Sequence, residues 1–159
     1  NLHFDRKFPI SVLDLVLSPF IREVSWFGRY PENAKKKAYA ALDRLDLLEH
    51  KHTSFGDLSG GLAQRAFIAR AIVDDPEILL LDEPTSSVDP EARKQVLDWI
   101  NHSKGDMTII LVTHDLEVAV QNMDSIFCID KTLTPYLPKD VCEHFAIGLY
   151  HAPLKTKEK

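Results

Sequence analysis

The chain has 159 residues, 45% of them hydrophobic and 27% charged, enough material for one core and a small attachment. Its formal charge of -5 argues against broad contact with nucleic acid, while leaving room for a local patch that meets a membrane subunit. Cys128 and Cys142 are too few and too isolated for a disulfide framework, no run approaches membrane-spanning length, and Asn1-Leu2-His3-Phe4-Asp5-Arg6 lacks the basic start and apolar stretch of a signal peptide, so a cytosolic chain is expected.

Residues 1 to about 56 read as mostly helical. Ile10 to Leu17 is apolar at Ile10, Val12, Leu13, Leu15, Val16 and Leu17, and Pro19 stops a helix there. The segment from Phe20 to Tyr30 holds Trp26, Phe27 and Tyr30. Most such aromatics are core, and a few dock a partner. A second helix is expected from Glu32 to Leu45, entered after Pro31, with Ala38, Ala41, Leu42 and Leu45 on one face and Lys35, Lys36 and Lys37 as ordinary charged surface.

From Ser59 the rhythm becomes helix, strand, helix, strand, helix, strand, an α/β pattern. Ser59 is a good N-cap for a helix to about Ile72, with Leu62, Ala66, Ala69 and Val73 on its apolar face, ended by Asp74-Asp75-Pro76. Ile78 to Leu81 is a bare aliphatic run, expected as a strand buried on both faces with Asp82 and Glu83 at its carboxyl end, where open α/β sheets bind ligands. Asp89 caps the next helix, Pro90 sits in its first turn, and Ala92, Val96 and Ile100 form its buried stripe. A strand from Met107 to Thr113 places His114 beside the same crevice. The following helix uses Leu116, Ala119, Val120 and Met123, and a strand from Ser125 to Ile129 carries Cys128 as a buried thiol. The tail from Lys155 to Lys159 is charged and expected to fray.

Three segments carry chemistry. Leu58-Ser59-Gly60-Gly61 offers backbone N–H groups, a hydroxyl and the positive end of a helix, with no side chain blocking a phosphate. Alone, it is an ordinary glycine-containing cap. Asp82 and Glu83 follow four aliphatics and precede Pro84-Thr85, which makes a pair of merely solvated acids a poor explanation. His114, in Val112-Thr113-His114-Asp115, gains weight only from these neighbours. In this order, with Gln64-Arg65 after the glycines and Ser86-Ser87-Val88-Asp89 after the acids, the segments resemble the nucleotide-binding subunit of ATP-binding-cassette transporters.

The resemblance implies an α/β fold, a partial P-loop NTPase domain with a parallel sheet core and an α-helical subdomain. Residues 1–57 would form the helical subdomain after the glutamine loop, 58–133 the signature helix and carboxyl-terminal half of the nucleotide-binding core, and 134–159 a carboxyl-terminal extension of the same domain. It implies ATP and Mg²⁺ as cofactors. Leu58, Ser59, Gly60, Gly61 and Gln64 would contact ATP held by the opposite subunit, and Asp89 would lie in the loop linking the two nucleotide sites. Asp82 would hold Mg²⁺, Glu83 would polarise the attacking water, and His114 would bond the terminal phosphate. Partners would be transmembrane permease subunits, a second nucleotide-binding subunit and a separate solute-binding protein, with no nucleic acid, at the cytoplasmic face of the membrane.

Two departures qualify the match. Leu62 stands where the family commonly carries Gln. Nor does any glycine, at 28, 56, 60, 61, 105 or 148, begin the G-x-x-x-x-G-K-[ST] phosphate loop, which in the family precedes the helical subdomain. This implies a truncated chain that alone binds ATP poorly and turns it over slowly or not at all. The opening from Phe4 to Asp14, with Phe67-Ile68-Ala69-Arg70-Ala71, is similar to importers of manganese, zinc and iron. Two other readings stand beside this one: a non-catalytic half-cassette contributing only its signature face, and a cassette ATPase acting on DNA or ribosomes. Cys142, His144 and His151 invite a metal site, which their irregular spacing disfavours.

Overall fold

The computed structural model describes residues 9–86, 88–139 and 141. They fall into two units, one ending at Val112 and the other starting at Thr113. The opening to Phe8, Ser87, Cys142, His144, His151 and the Lys155 to Lys159 tail lie outside the described residues.

In the first unit, α1 (Val12–Leu17) starts at a capping box: Ser11 Oγ accepts the Asp14 N–H at 3.1 Å and donates to the Asp14 carboxylate at 2.6 Å. The α-helix ends before Pro19 and continues as a 3₁₀ segment through Glu23, with Phe20 outside helical dihedrals. Pro31 precedes α2 (Glu32–Arg44), which buries Ala34, Ala38, Ala41 and Leu42. Ser59 caps α3 (Gly60–Ile72), which buries Gly61, Ala66, Ile68, Ala69 and Ile72; Leu62, expected in this stripe, is half-buried. The three helices pack on one another. Backbone bonds from Val12 N–H to Thr53 O (3.1 Å), Leu13 N–H to Lys51 O (2.9 Å) and Phe55 N–H to Ile10 O (2.9 Å) tie the start of α1 to the strap before α3. Arg65 on α3 donates through Nη1 to the Leu45 carbonyl at the end of α2 (3.0 Å). Leu42, Leu45 and Leu47 are buried in this core.

Strands β1 (Ile78–Asp82) and β2 (Thr108–Val112) pair in parallel, Ile78 opposite Thr108 and Asp82 opposite Val112. A parallel pair needs a crossover, supplied by α4 (Pro90–His102), capped by Asp89 and burying Ala92, Val96, Trp99 and Ile100. The expected double burial of the aliphatic run is not observed: Leu79 and Leu81 are buried, but Ile78 is 55% and Leu80 71% exposed. The strand's period of two sends alternate residues to opposite faces, and only one face of this two-stranded sheet is covered among the described residues.

The second unit begins with α5 (Leu116–Asn122), whose cap Asp115 accepts the Val118 N–H through Oδ1 at 3.1 Å. Here the expected face is corrected. Val118 and Asn122 are buried, while Leu116 is exposed and Ala119, Val120 and Met123 are half-buried. Asn122 turns its side-chain amide back onto the Val118 carbonyl at 3.0 Å, so a polar residue at an inward position bonds to its own helix. Strand β3 (Ile126–Asp130) pairs antiparallel with β4 (Thr132–Tyr136) around Lys131, whose φ is 56°. Pro135 hides β4 in the sequence, because proline belongs only to edge strands. Cys128, expected as a buried thiol, is exposed on this hairpin.

Candidate functional site

The first group of candidate residues surrounds the start of α3. Leu58 is extended (φ -72°, ψ 148°) and half-buried, leading into Ser59 at φ -62°, ψ 160°. Ser59 Oγ accepts the Leu62 N–H at 3.3 Å, so Leu62 takes part through its backbone whatever its side chain does. A hydroxyl that accepts one bond still has its own hydrogen to donate. Gly60 is exposed, Gly61 is buried, and Gln64 lies half-buried on the same helix.

Gly61 is where the geometry is most demanding. A Cβ built there would collide with the Cβ of Ala92 in α4 and lie 3.8 Å from Asp89 Oδ2. The missing side chain therefore lets the amino-terminal turns of α3 and α4 meet. Asp89 is fixed at the junction through Oδ1, which accepts the Ala92 N–H at 3.0 Å. The signature glycines and Asp89, 29 and 28 residues apart in sequence, are thus brought together. Ala92 was read only as core; its small side chain opposite a glycine was the signal for this approach.

The second group is the acid pair. Asp82 ends β1 opposite Val112 and is exposed. Glu83 extends the ladder one residue further, its N–H donating to Val112 O at 2.9 Å, and then turns with φ 46°. For a residue other than glycine, that conformation costs roughly 1–3 kcal/mol and persists only where the surroundings enforce it. Here they do: Ser86 donates both its N–H (3.2 Å) and Oγ–H (3.1 Å) to the Glu83 carbonyl, and Pro84 and Thr85 are buried. Ser86 as the clamp on Glu83 was not apparent from the sequence.

His114 follows β2 after Thr113, the first residue of the second unit, so it belongs to a different unit from Asp82 and Glu83. It is exposed and flanked by a locally ordered turn in which the Asp115 N–H donates to Thr113 Oγ1 at 3.0 Å. A hydrogen bond to Asp74 at 2.6 Å holds the Lys37 ammonium above its usual range, and burial, with the Asp14 carboxylate, raises Tyr30.

An α/β unit with a capped glycine-containing helix start and acids at a parallel strand's end is that of a nucleotide-handling domain. The family model for ABC transporters matches residues 5–86, and the chain belongs to that family. A Chlamydia pneumoniae protein named "Probable metal transport system ATP-binding protein" is 41% identical over 134 residues, 84% of this chain and 55% of that protein. The Bacillus subtilis high-affinity zinc uptake system ATP-binding protein ZnuC is 33% identical over 130 residues, 80% and 56% of the two chains. An ABC transporter solved in an inward-facing conformation superposes with a TM-score of 0.78 at 29% identity, covering 87% of this chain and 57% of that one. The fold is part of an ABC ATPase domain of the P-loop NTPase class. The chain spans about half the length of the curated relatives it matches, 55% and 56% for these two.

Proposed function

We propose that the chain is part of the ATP-binding and hydrolysing subunit of an ABC transporter that energises passage of a metal cation, manganese, zinc or iron, across a membrane. The observation that carries this reading is the junction of α3 and α4, where Gly61 meets Ala92 and leaves Ser59 and Gly60 open at paired helix starts. The relatives named for metal and zinc transport support the cargo.

In this reading, Leu58, Ser59, Gly60, Gly61 and Gln64 face the terminal phosphate of ATP on the opposite subunit, Ser59 through its free hydroxyl hydrogen. Asp89 lies where the two sites communicate. Glu83 orients water and draws on its proton as the water oxygen attacks the terminal phosphorus, and the bond from that phosphorus to the ADP oxygen breaks. His114 donates to the terminal phosphate. Asp82 is an exposed carboxylate at a strand end, and no group of three or more His, Cys, Asp or Glu able to hold a metal occurs among the described residues. That suits Mg²⁺, which keeps several waters and takes other ligands from phosphates rather than from a protein cage. When bound, Mg²⁺ supplies charge neutralisation at the phosphates.

The segments would be the helical subdomain (1–57), the signature helix with half of the core (58–133), and an extension (134–159). The partners are permease subunits, a second nucleotide-binding subunit and a solute-binding protein, with the chain held at the cytoplasmic face and no nucleic acid bound. No helix among the described residues is long and apolar enough to cross a membrane. The test is Glu83→Gln in the intact subunit. ATP hydrolysis should fall roughly 100-fold or more while ATP binding persists and the closed dimer accumulates. Equal turnover in variant and parent would remove Glu83 from its role.

A further inference from the structure

The chain leaves β1 through a residue in an unfavourable conformation. Glu83 keeps its place on the ladder, its N–H donating to the Val112 carbonyl at 2.9 Å, yet its φ is 46°. Left-handed backbone is disfavoured for any residue with a Cβ, because that atom crowds the following carbonyl oxygen. With the N–H pinned to Val112, relaxation to an ordinary negative φ would swing Cβ by roughly 100° or more about the N–Cα bond, and the carboxylate would follow it. The backbone conformation of Glu83 therefore sets the direction of its side chain.

Ser86 opposes that relaxation with two bonds to one atom. Its N–H reaches the Glu83 carbonyl at 3.2 Å and closes a four-residue turn with Pro84 in second place, where the fixed φ of proline suits a turn. Its Oγ–H reaches the same carbonyl at 3.1 Å. Any residue except proline could make the first bond; the second needs a hydroxyl. Pro84 and Thr85 are buried, which anchors the turn, whereas Ser86 is exposed and fills no core space. One neutral hydrogen bond and one left-handed residue are of the same order in free energy, so a single hydroxyl is enough to change how often Glu83 occupies this conformation.

We propose that Ser86 is a positioning residue for ATP hydrolysis, its hydroxyl keeping Glu83 in the left-handed conformation that presents the carboxylate to the attacking water. The proposal rests on the ATPase reading above, in which Glu83 draws on the proton of that water. A general base works only within hydrogen-bond reach of the proton it takes, so a rotated carboxylate is lost to the reaction. Two consequences distinguish this role from simple support of the turn. Loss of the hydroxyl lowers turnover without weakening ATP binding, because Glu83 acts on the water. The loss also disappears once the carboxylate itself is gone, because Ser86 acts only through it.

The experiment measures kcat and KM for ATP in the full-length subunit assembled in its transporter, for wild type, Ser86→Ala, Ser86→Thr, Glu83→Gln and Glu83→Gln/Ser86→Ala. Circular dichroism confirms folding, and single-turnover assays read the slow variants. Ser86→Ala keeps the turn bond and should lower kcat roughly 10-fold, with KM changed by less than about 2-fold. Ser86→Thr retains the hydroxyl and should recover most of that loss. Glu83→Gln/Ser86→Ala should be no slower than Glu83→Gln alone. Wild-type kcat in Ser86→Ala, with Glu83→Gln strongly impaired, overturns the proposal and leaves the ATPase reading standing. A further loss of roughly 10-fold on the Glu83→Gln background would mean that Ser86 acts independently of Glu83, and overturns it as well. Undiminished hydrolysis by Glu83→Gln removes both.

Discussion

The α1–α3 cluster and the β1–β2 sheet both carry apolar side chains but dispose of them differently. In the helices, each apolar stripe finds another: Val12 and Val16 of α1, Ala38 and Leu42 of α2, and Ala66 and Ile68 of α3 are all buried. In the sheet, only the face bearing Leu79 and Leu81 is covered among the described residues, while Ile78, Leu80, Ile110 and Val112 are exposed. Hydrophobicity alone therefore does not locate the core; the number of elements available to cover a face decides it. Leu42→Ala should expose this contrast most strongly. It removes a fully buried side chain from a closed helical core and should cost about 2–5 kcal/mol in chemical denaturation. A cost below about 1 kcal/mol would mean that the helical cluster is not closed.

The junction of α3 and α4 links the two regions and is the next place to break the comparison. Gly61→Ala puts a methyl group where Ala92 Cβ already sits, a small and inflexible contact that cannot swing aside. Replacing Gly by Ala gains up to about 1 kcal/mol of helix propensity in a helix interior and less at this first turn, whereas overpacking costs about 1–3 kcal/mol. Net destabilisation of roughly 1–2 kcal/mol is expected, with recovery in Gly61→Ala/Ala92→Gly. Failure of the second change to rescue stability would show that the helices do not meet at this point.

Much of this architecture is legible in the sequence because local chemistry specifies it. Ser59 and Asp89 cap helices where their side chains predict, and Pro31 and Pro90 mark helix starts. The candidate residues Ser59, Gly60, Gly61, Asp82, Glu83 and Asp89 fall at element ends, where the spacing puts them. What the sequence conceals depends on partners distant in the chain. The inward face of α5 turns on Asn122 satisfying its amide on its own helix, which a hydrophobic pattern does not register. The left-handed backbone of Glu83 depends on Val112 and Ser86, and the need for glycine at 61 depends on Ala92. The pairing of β3 follows from β4, which its proline disguises.

Leu80→Thr gives the finest test of the contrast between helices and sheet. Leu80 is 71% exposed, and threonine brings the β-branched shape that strands favour, so little packing is lost and little strand preference is sacrificed. In dilute solution, unfolding free energy should change by less than about 0.5 kcal/mol, far below the Leu42→Ala effect. Raising the protein concentration sharpens the measurement. If the apolar face of Ile78, Leu80, Ile110 and Val112 is covered by association of copies, the parent will gain thermal stability with concentration and Leu80→Thr will not, because binding that requires the folded state stabilises it by mass action. If both proteins unfold at the same temperature at every concentration, copies do not cover the face. A large loss in dilute solution would instead mean that Leu80 is packed within its own chain, and the sheet would then resemble the helices rather than differ from them.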